Sequence, residues 1–181
     1  MSTLLVAATK AEAAYLPADL PLLITGIGKT AAATAVARAL AETPGITEVV
    51  NLGTAGALRS GLEGLHLPGT VFNHEISADA LRVLGYDPME HLSIAGGSGI
   101  VLASGDMFVT ETSHRDRLAE HAHLVDMEGY AVAWACRAHG VPVRLVKHVS
   151  DNADEGAMAW LDVVDASARV LGEWAAAHLC P

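Results

Sequence analysis

Val125-Asp-Met-Glu-Gly-Tyr-Ala-Val-Ala-Trp-Ala-Cys-Arg-Ala-His-Gly-Val-Pro-Val-Arg-Leu-Val-Lys-His-Val-Ser-Asp-Asn-Ala-Asp154 reads as a helix, a stop and a strand in direct succession. The acidic step Asp126-Met127-Glu128 is expected to open a helix running to His139. Gly140-Val141-Pro142 supplies the stop and turn, because glycine frees the backbone and proline cannot continue a helix. An apolar strand over Val143–Val149 then ends on Ser150-Asp151. Two carboxylates, Glu128 and Asp151, are therefore predicted at loop edges of a helix and a strand, where α/β scaffolds carry small-molecule sites.

The same alternation extends outward from this stretch. Strands are predicted at Thr3–Ala8, Leu22–Thr25, Glu48–Leu52, Gly69–Ile76 and Ile100–Ser104, and helices at Lys29–Ala41, Glu111–His121 and Asp162–His178. The closing helix places Val163, Ala166, Val170 and Trp174 near a 3.6-residue period. Asp79–Gly99 has weak periodicity and reads as a loop-rich insertion. Strands alternating with helices predict a layered α/β fold, with residues 1–181 forming one domain.

Composition narrows the function classes. Hydrophobic residues make up 51% of the 181, which supports a folded core over disorder. The formal net charge of −10 argues against a nucleic-acid polymer or an anionic membrane as partner. It leaves a neutral nucleoside open. Cys136 and Cys180 make no disulfide framework, which fits a reducing cytoplasm. The first residues lack a signal-peptide pattern, and no uncharged apolar run spans a bilayer. The nine histidines lack neighbours at metal-ligand spacing, so no metal is expected.

Several short segments could carry chemistry. Gly26-Ile-Gly28-Lys29 is a tight strand-to-helix turn; it lacks the upstream glycine of a phosphate loop and the downstream acid of a dinucleotide site. Asn51-Leu-Gly-Thr54-Ala-Gly56 reads as a strand end rich in small residues, either a plain turn or a place for close ligand approach. Ser104-Gly-Asp106-Met-Phe108-Val109 holds one of only two phenylalanines; alone, Phe108 would more often be core. Glu128 could accept from two vicinal hydroxyls or merely complement a helix dipole. Ser150-Asp151 could cap a helix. Glu12, after the first strand, could be a solvated surface acid.

Taken in order, these segments resemble the purine nucleoside phosphorylase/nucleosidase superfamily, and within it the methylthioadenosine/adenosylhomocysteine nucleosidases. The resemblance rests on Gly26-Ile-Gly-Lys29, Asn51–Leu58, Ser104–Val109, Asp126-Met-Glu128 and Ser150–Asp154. It implies a three-layer α/β/α fold around a central mixed, mostly parallel sheet. It implies a cytoplasmic N-glycosyl hydrolase that needs no cofactor and acts on a purine nucleoside, as a homodimer or larger homo-oligomer. By the same resemblance, Asp151 protonates the leaving base and Glu12 deprotonates the attacking water. Glu128 and Met127 hold the ribose, and Phe108 and the backbone of Val109 hold the base. Ser150 and Thr54 complete the substrate contacts. The chain departs from the family pattern at Gly129-Tyr130, at Lys147-His148 and in its short region between the first two strands. Phosphorolysis and nucleoside binding without turnover remain alternatives.

Overall fold

The computed structural model describes residues 2–180. Its strands are β1 (Ser2–Ala7), β2 (Leu22–Ile24), β3 (Ile46–Ala57), β4 (Leu65–His66), β5 (Pro68–Asn73), β6 (His91–Ser93), β7 (Ser98–Ser104), β8 (Leu124–Asp126) and β9 (Val143–Asp151). The helices are α1 (Lys29–Glu42), α2 (Ala78–Val83), α3 (Thr112–Ala119), α4 (Gly129–Ala138) and α5 (Trp160–Leu179), with a 3-10 turn at Glu155–Ala159. All nine strands join one sheet. β1 runs parallel to β2 and β3, β3 to β9, β5 to β7 and β7 to β8. Only the β3–β8, β4–β9 and β5–β6 pairs are antiparallel.

Successive strand residues point to opposite faces, so a sheet covered on both sides needs continuous apolar runs. Leu4, Val6 and Val49 pack with α1 and α4, whereas Leu5, Val50, Leu52 and Val146 pack with α5. Val71, Leu102 and Leu124 face α4; Phe72, Ala103 and Val125 face α3. The result is the expected three-layer α/β/α arrangement with a mixed, mostly parallel sheet. No helix among the described residues is long and apolar enough to cross a membrane.

Three expectations need correction. The strand expected to end at Leu52 continues to Ala57, because β9 pairs with it in parallel from Val49 to Gly56. The small residues Gly53–Gly56 are thus strand interior, not a turn. Asp126 closes strand β8 instead of opening a helix, and α4 begins at Gly129. Asp79–Gly99 is not loop alone: it contains most of α2, which starts one residue earlier, together with β6 and the start of β7.

The long strand β3 organises the centre. Along one edge it meets β1 over Ile46–Asn51 and β8 over Gly56–Ala57. Between these contacts its backbone is free to meet side chains, and the site forms at that gap.

Candidate active site

Glu12 fills the gap. Its Oε1 accepts from the Thr54 amide at 2.8 Å and from the Thr54 hydroxyl at 2.9 Å. Its Oε2 accepts from the Thr9 amide at 3.1 Å and the Thr9 hydroxyl at 3.0 Å. The Thr9 hydroxyl in turn accepts from the Glu12 amide, which makes Thr9-Lys10-Ala11-Glu12 a reciprocal capping box. That spacing was legible in the sequence. Glu12 is buried, not a solvated acid. Gly53 makes room for it: a Cβ there would lie 3.0 Å from Glu12 Oε1 and 3.4 Å from Lys147 Nζ.

Glu128 occupies the residue just before α4, yet its side chain caps nothing on that helix. Asp126 and Ser104 do that work: Asp126 Oδ2 accepts from the Gly129 amide at 2.8 Å, and Ser104 Oγ accepts from the Tyr130 amide at 2.9 Å while donating to Asp126. Glu128 is thereby released to accept from the Gly28 amide at 2.8 Å. Gly28 has φ of 95°, a backbone state that favours glycine. Burial, and then the adjacent Asp126 carboxylate, push the Glu128 carboxyl up to about 7 against the opposing Gly28 amide and Lys147 ammonium.

Asp151 ends β9. Its Oδ1 accepts from the Ala153 amide at 2.8 Å and its Oδ2 from the Ser150 hydroxyl at 2.7 Å. Ala153, at φ 50°, is the one non-glycine residue with positive φ among those described. This backbone state is costly for an alanine and marks a loop held in place by its surroundings. A Cβ at Gly56 would lie 2.9 Å from the Ala153 Cβ and 3.1 Å from Asp151 Oδ1.

These elements enclose a cavity of about 380 Å³. It is lined by Glu12, Thr54, Phe108, Met127, Glu128, Ser150 and Asp151. Seven of the eight residues assigned from sequence therefore meet in one space. Val109 does not line it: its side chain is buried with Leu118 and Ala122 beneath α3. Sequence reasoning missed Trp160, which lines the cavity and donates from Nε1 to Thr54 Oγ1 at 2.9 Å. It lay just outside the predicted closing helix. Lys147 was noted only as a departure from the family pattern. It is fully buried and pairs with Asp126 at 2.8 Å.

The lining holds three carboxylates and no lysine or arginine. Among the described residues, no group of three or more His, Cys, Asp or Glu side chains is placed to hold a metal ion.

Comparison with known proteins agrees with this arrangement. Residues 97–179 match the phosphorylase superfamily. The 5'-methylthioadenosine/S-adenosylhomocysteine nucleosidase of Glaesserella parasuis is 30% identical over 161 residues, covering 76% of this chain and 70% of that protein. The aminodeoxyfutalosine nucleosidase of Helicobacter pylori is 37% identical over 83 residues, but the match covers only 44% of this chain and 35% of that protein. The crystal structure of the H. pylori 5'-methylthioadenosine/S-adenosylhomocysteine nucleosidase superimposes with a TM-score of 0.84 at 22% identity, covering 96% of this chain and 95% of that one. The fold and site thus define a three-layer α/β protein with an acidic cavity, and the chain belongs to the phosphorylase superfamily, in the family of the methylthioadenosine/adenosylhomocysteine nucleosidases.

Proposed function

We propose that the protein is a purine nucleosidase that hydrolyses an N-glycosidic bond to free base and sugar. The observation that carries this reading is the cavity lined by Glu12, Glu128 and Asp151, each from a separate element, without a basic side chain. Glycoside hydrolysis needs an acid for the leaving group and a base for water on the other face of an oxocarbenium-like sugar. Asp151 is assigned the acid and delivers its proton to the departing purine. Glu12 is assigned the base. Its four donors include two threonine hydroxyls, and either can rotate to free an oxygen lone pair for water. Glu128 accepts from the ribose hydroxyls, with Met127 against the sugar. Phe108 stacks on the base, the Val109 backbone borders it, and Ser150 and Thr54 orient the two catalytic acids.

Water is favoured over phosphate as the nucleophile. A phosphate dianion needs cationic or directed donors. The Gly28 and Lys29 amides at the start of α1 are already taken by Glu128 and Asp106.

The cavity lining includes exposed Ile27, Phe108, Met158 and Leu161. An apolar surface of this kind favours association, so the reading includes a homodimer or larger homo-oligomer that covers it. It also includes residues 1–181 acting as one domain, a neutral nucleoside as the small-molecule partner and a cytoplasmic location.

The test is free-base release from a panel of purine nucleosides, with and without phosphate. The reading predicts release in phosphate-free buffer. Release only with phosphate would move the protein to the phosphorylases, and binding without release would make it a nucleoside binder.

A further inference from the structure

Glu75 lies outside the cavity lining, yet it grips the loop that delivers Phe108. Its Oε1 accepts from the Met107 amide at 2.9 Å, and its Oε2 from the Asp106 amide at 2.9 Å. Lys29 Nζ donates to Glu75 Oε2 at 2.5 Å and to Asn73 Oδ1 at 2.8 Å. The Lys29 amide reaches forward to Asp106 Oδ1 at 2.7 Å. The chain passes so close that a Cβ at Gly105 would lie 2.2 Å from His74 Nε2 and 2.9 Å from the Glu75 carboxyl carbon. On the far side of the loop, Glu155 accepts from the Thr112 amide and hydroxyl.

Phe108 itself is 45% exposed and joins none of the four apolar clusters of the core. Its ring is therefore placed through its backbone, not by packing. An unanchored ring would have to be ordered by each arriving ligand, at a cost in affinity. Burial would raise the Glu75 carboxyl, but the Lys29 ammonium and the two amides outweigh it and hold it down at about 2. The grip thus stays charged near neutral pH.

We propose that Glu75, neutralised by Lys29, is a positioning residue for the base subsite: it fixes the backbone of Asp106 and Met107 so that Phe108 is pre-placed for a purine. The inference rests on the nucleosidase reading above. It assigns Glu75 to affinity for the base and not to cleavage of the bond.

The test compares wild type with Glu75→Ala, Glu75→Gln and, as a control, Arg38→Ala, which breaks an exposed pair with Glu42 far from the loop. Three quantities are read: hydrogen exchange at the Asp106 and Met107 amides, calorimetric affinity for free adenine, and KM and kcat for methylthioadenosine. Glu75→Ala is expected to speed exchange at both amides, to weaken adenine and raise KM about tenfold, and to leave kcat within about threefold. Glu75→Gln, which keeps one acceptor oxygen, should fall between. Should Glu75→Ala fail to fold, Lys29→Met, which leaves both amide contacts in place, is expected to move the same quantities less. A folded variant with unchanged exchange, or with faster exchange but unchanged adenine affinity and KM, overturns the proposal, as does a fall in kcat at constant KM. A wild type that binds no adenine and cleaves no nucleoside refutes the nucleosidase reading instead, and the proposal falls with it.

Discussion

Lys147 gives its ammonium to Asp126 at 2.8 Å in a space closed to water, and Glu128 beside them is left to share that charge. A single cation thus serves Asp126 first, with Glu128 and Glu12 in its field. Burial alone would lower the Lys147 ammonium; the Asp126 carboxylate, then Glu128 and Glu12, raise it instead. Removing one member of such a pair strands the other in low dielectric. Lys147→Met is expected to destabilise the fold by about 3–5 kcal/mol in urea unfolding. The double variant Lys147→Met/Asp126→Asn should recover more than half of that loss, since the uncompensated charge is gone. Equal losses in the single and double variants would show that a stranded Asp126 charge is not the source of the loss.

Glu128 makes stability fall with pH. Its folded carboxyl titrates at about 7 against an ordinary value of 4.5. Between those values the folded state holds a proton that the unfolded chain has lost. Its contribution is therefore fully present below about pH 4.5 and is lost as pH rises through about 7. At about 1.4 kcal/mol per pH unit, the penalty above pH 7 is on the order of 3 kcal/mol. Glu128→Gln keeps the acceptor for the Gly28 amide and removes the charge. It should be more stable than wild type at pH 8 and nearly equal at pH 4.5. A variant less stable at pH 8 would show that the carboxylate is better solvated than its burial implies.

In the proposed mechanism the same group sets the acid limb of activity. Only the ionised carboxylate can accept from both ribose hydroxyls, so kcat/KM should fall tenfold per pH unit below about pH 7. Glu128→Gln should be weaker throughout and should lose that limb. A limb unchanged in Glu128→Gln would assign the titration to another group.

Much of this site could be read from sequence because its groups sit in short, contiguous motifs. Ser150-Asp151 and Asp126-Met127-Glu128 each place their side chains within a few residues of a strand end. Glu12 is held by a local capping box with Thr9. What escaped depends on distant partners. Gly53–Gly56 looks like a turn locally, and only the parallel pairing with β9 keeps it extended. β8 is three residues long and takes its identity from β7 and β3. Glu128 looks like a first-turn helix acid, yet Asp126 and Ser104 cap α4 and turn it toward Gly28, 100 residues upstream. Val109 was expected to meet the base through its backbone, and its side chain fills the core under α3.

Gly56 tests how tightly the Asp151 loop is placed. An added Cβ meets the Ala153 Cβ at 2.9 Å, Asp151 Oδ1 at 3.1 Å and Val125 Cγ1 at 3.3 Å. The loop is the softest of these neighbours and should yield. A shift of about 1 Å at a reacting group costs on the order of 100-fold in rate. Gly56→Ala is therefore expected to lose about 100-fold in kcat with a much smaller loss of stability. Comparable falls in both would mean that the alanine disrupts the sheet and not the loop.

Asp151 is the sharpest test of the chemistry, because its role depends on the leaving group. A purine leaves poorly as an anion, so losing the proton donor should cost about 100- to 10,000-fold in kcat. Asp151→Asn keeps the side chain's shape and an acceptor for the Ala153 amide, so the fold should persist. A riboside with 4-nitrophenolate as its leaving group needs no proton to depart. On that substrate Asp151→Asn should retain most of whatever activity the wild type shows, while Glu12→Gln, which removes the base for water, should lose activity on both. Equal losses on both substrates for Asp151→Asn would show that Asp151 acts on the sugar or the water, and the acid would have to be sought elsewhere in the cavity.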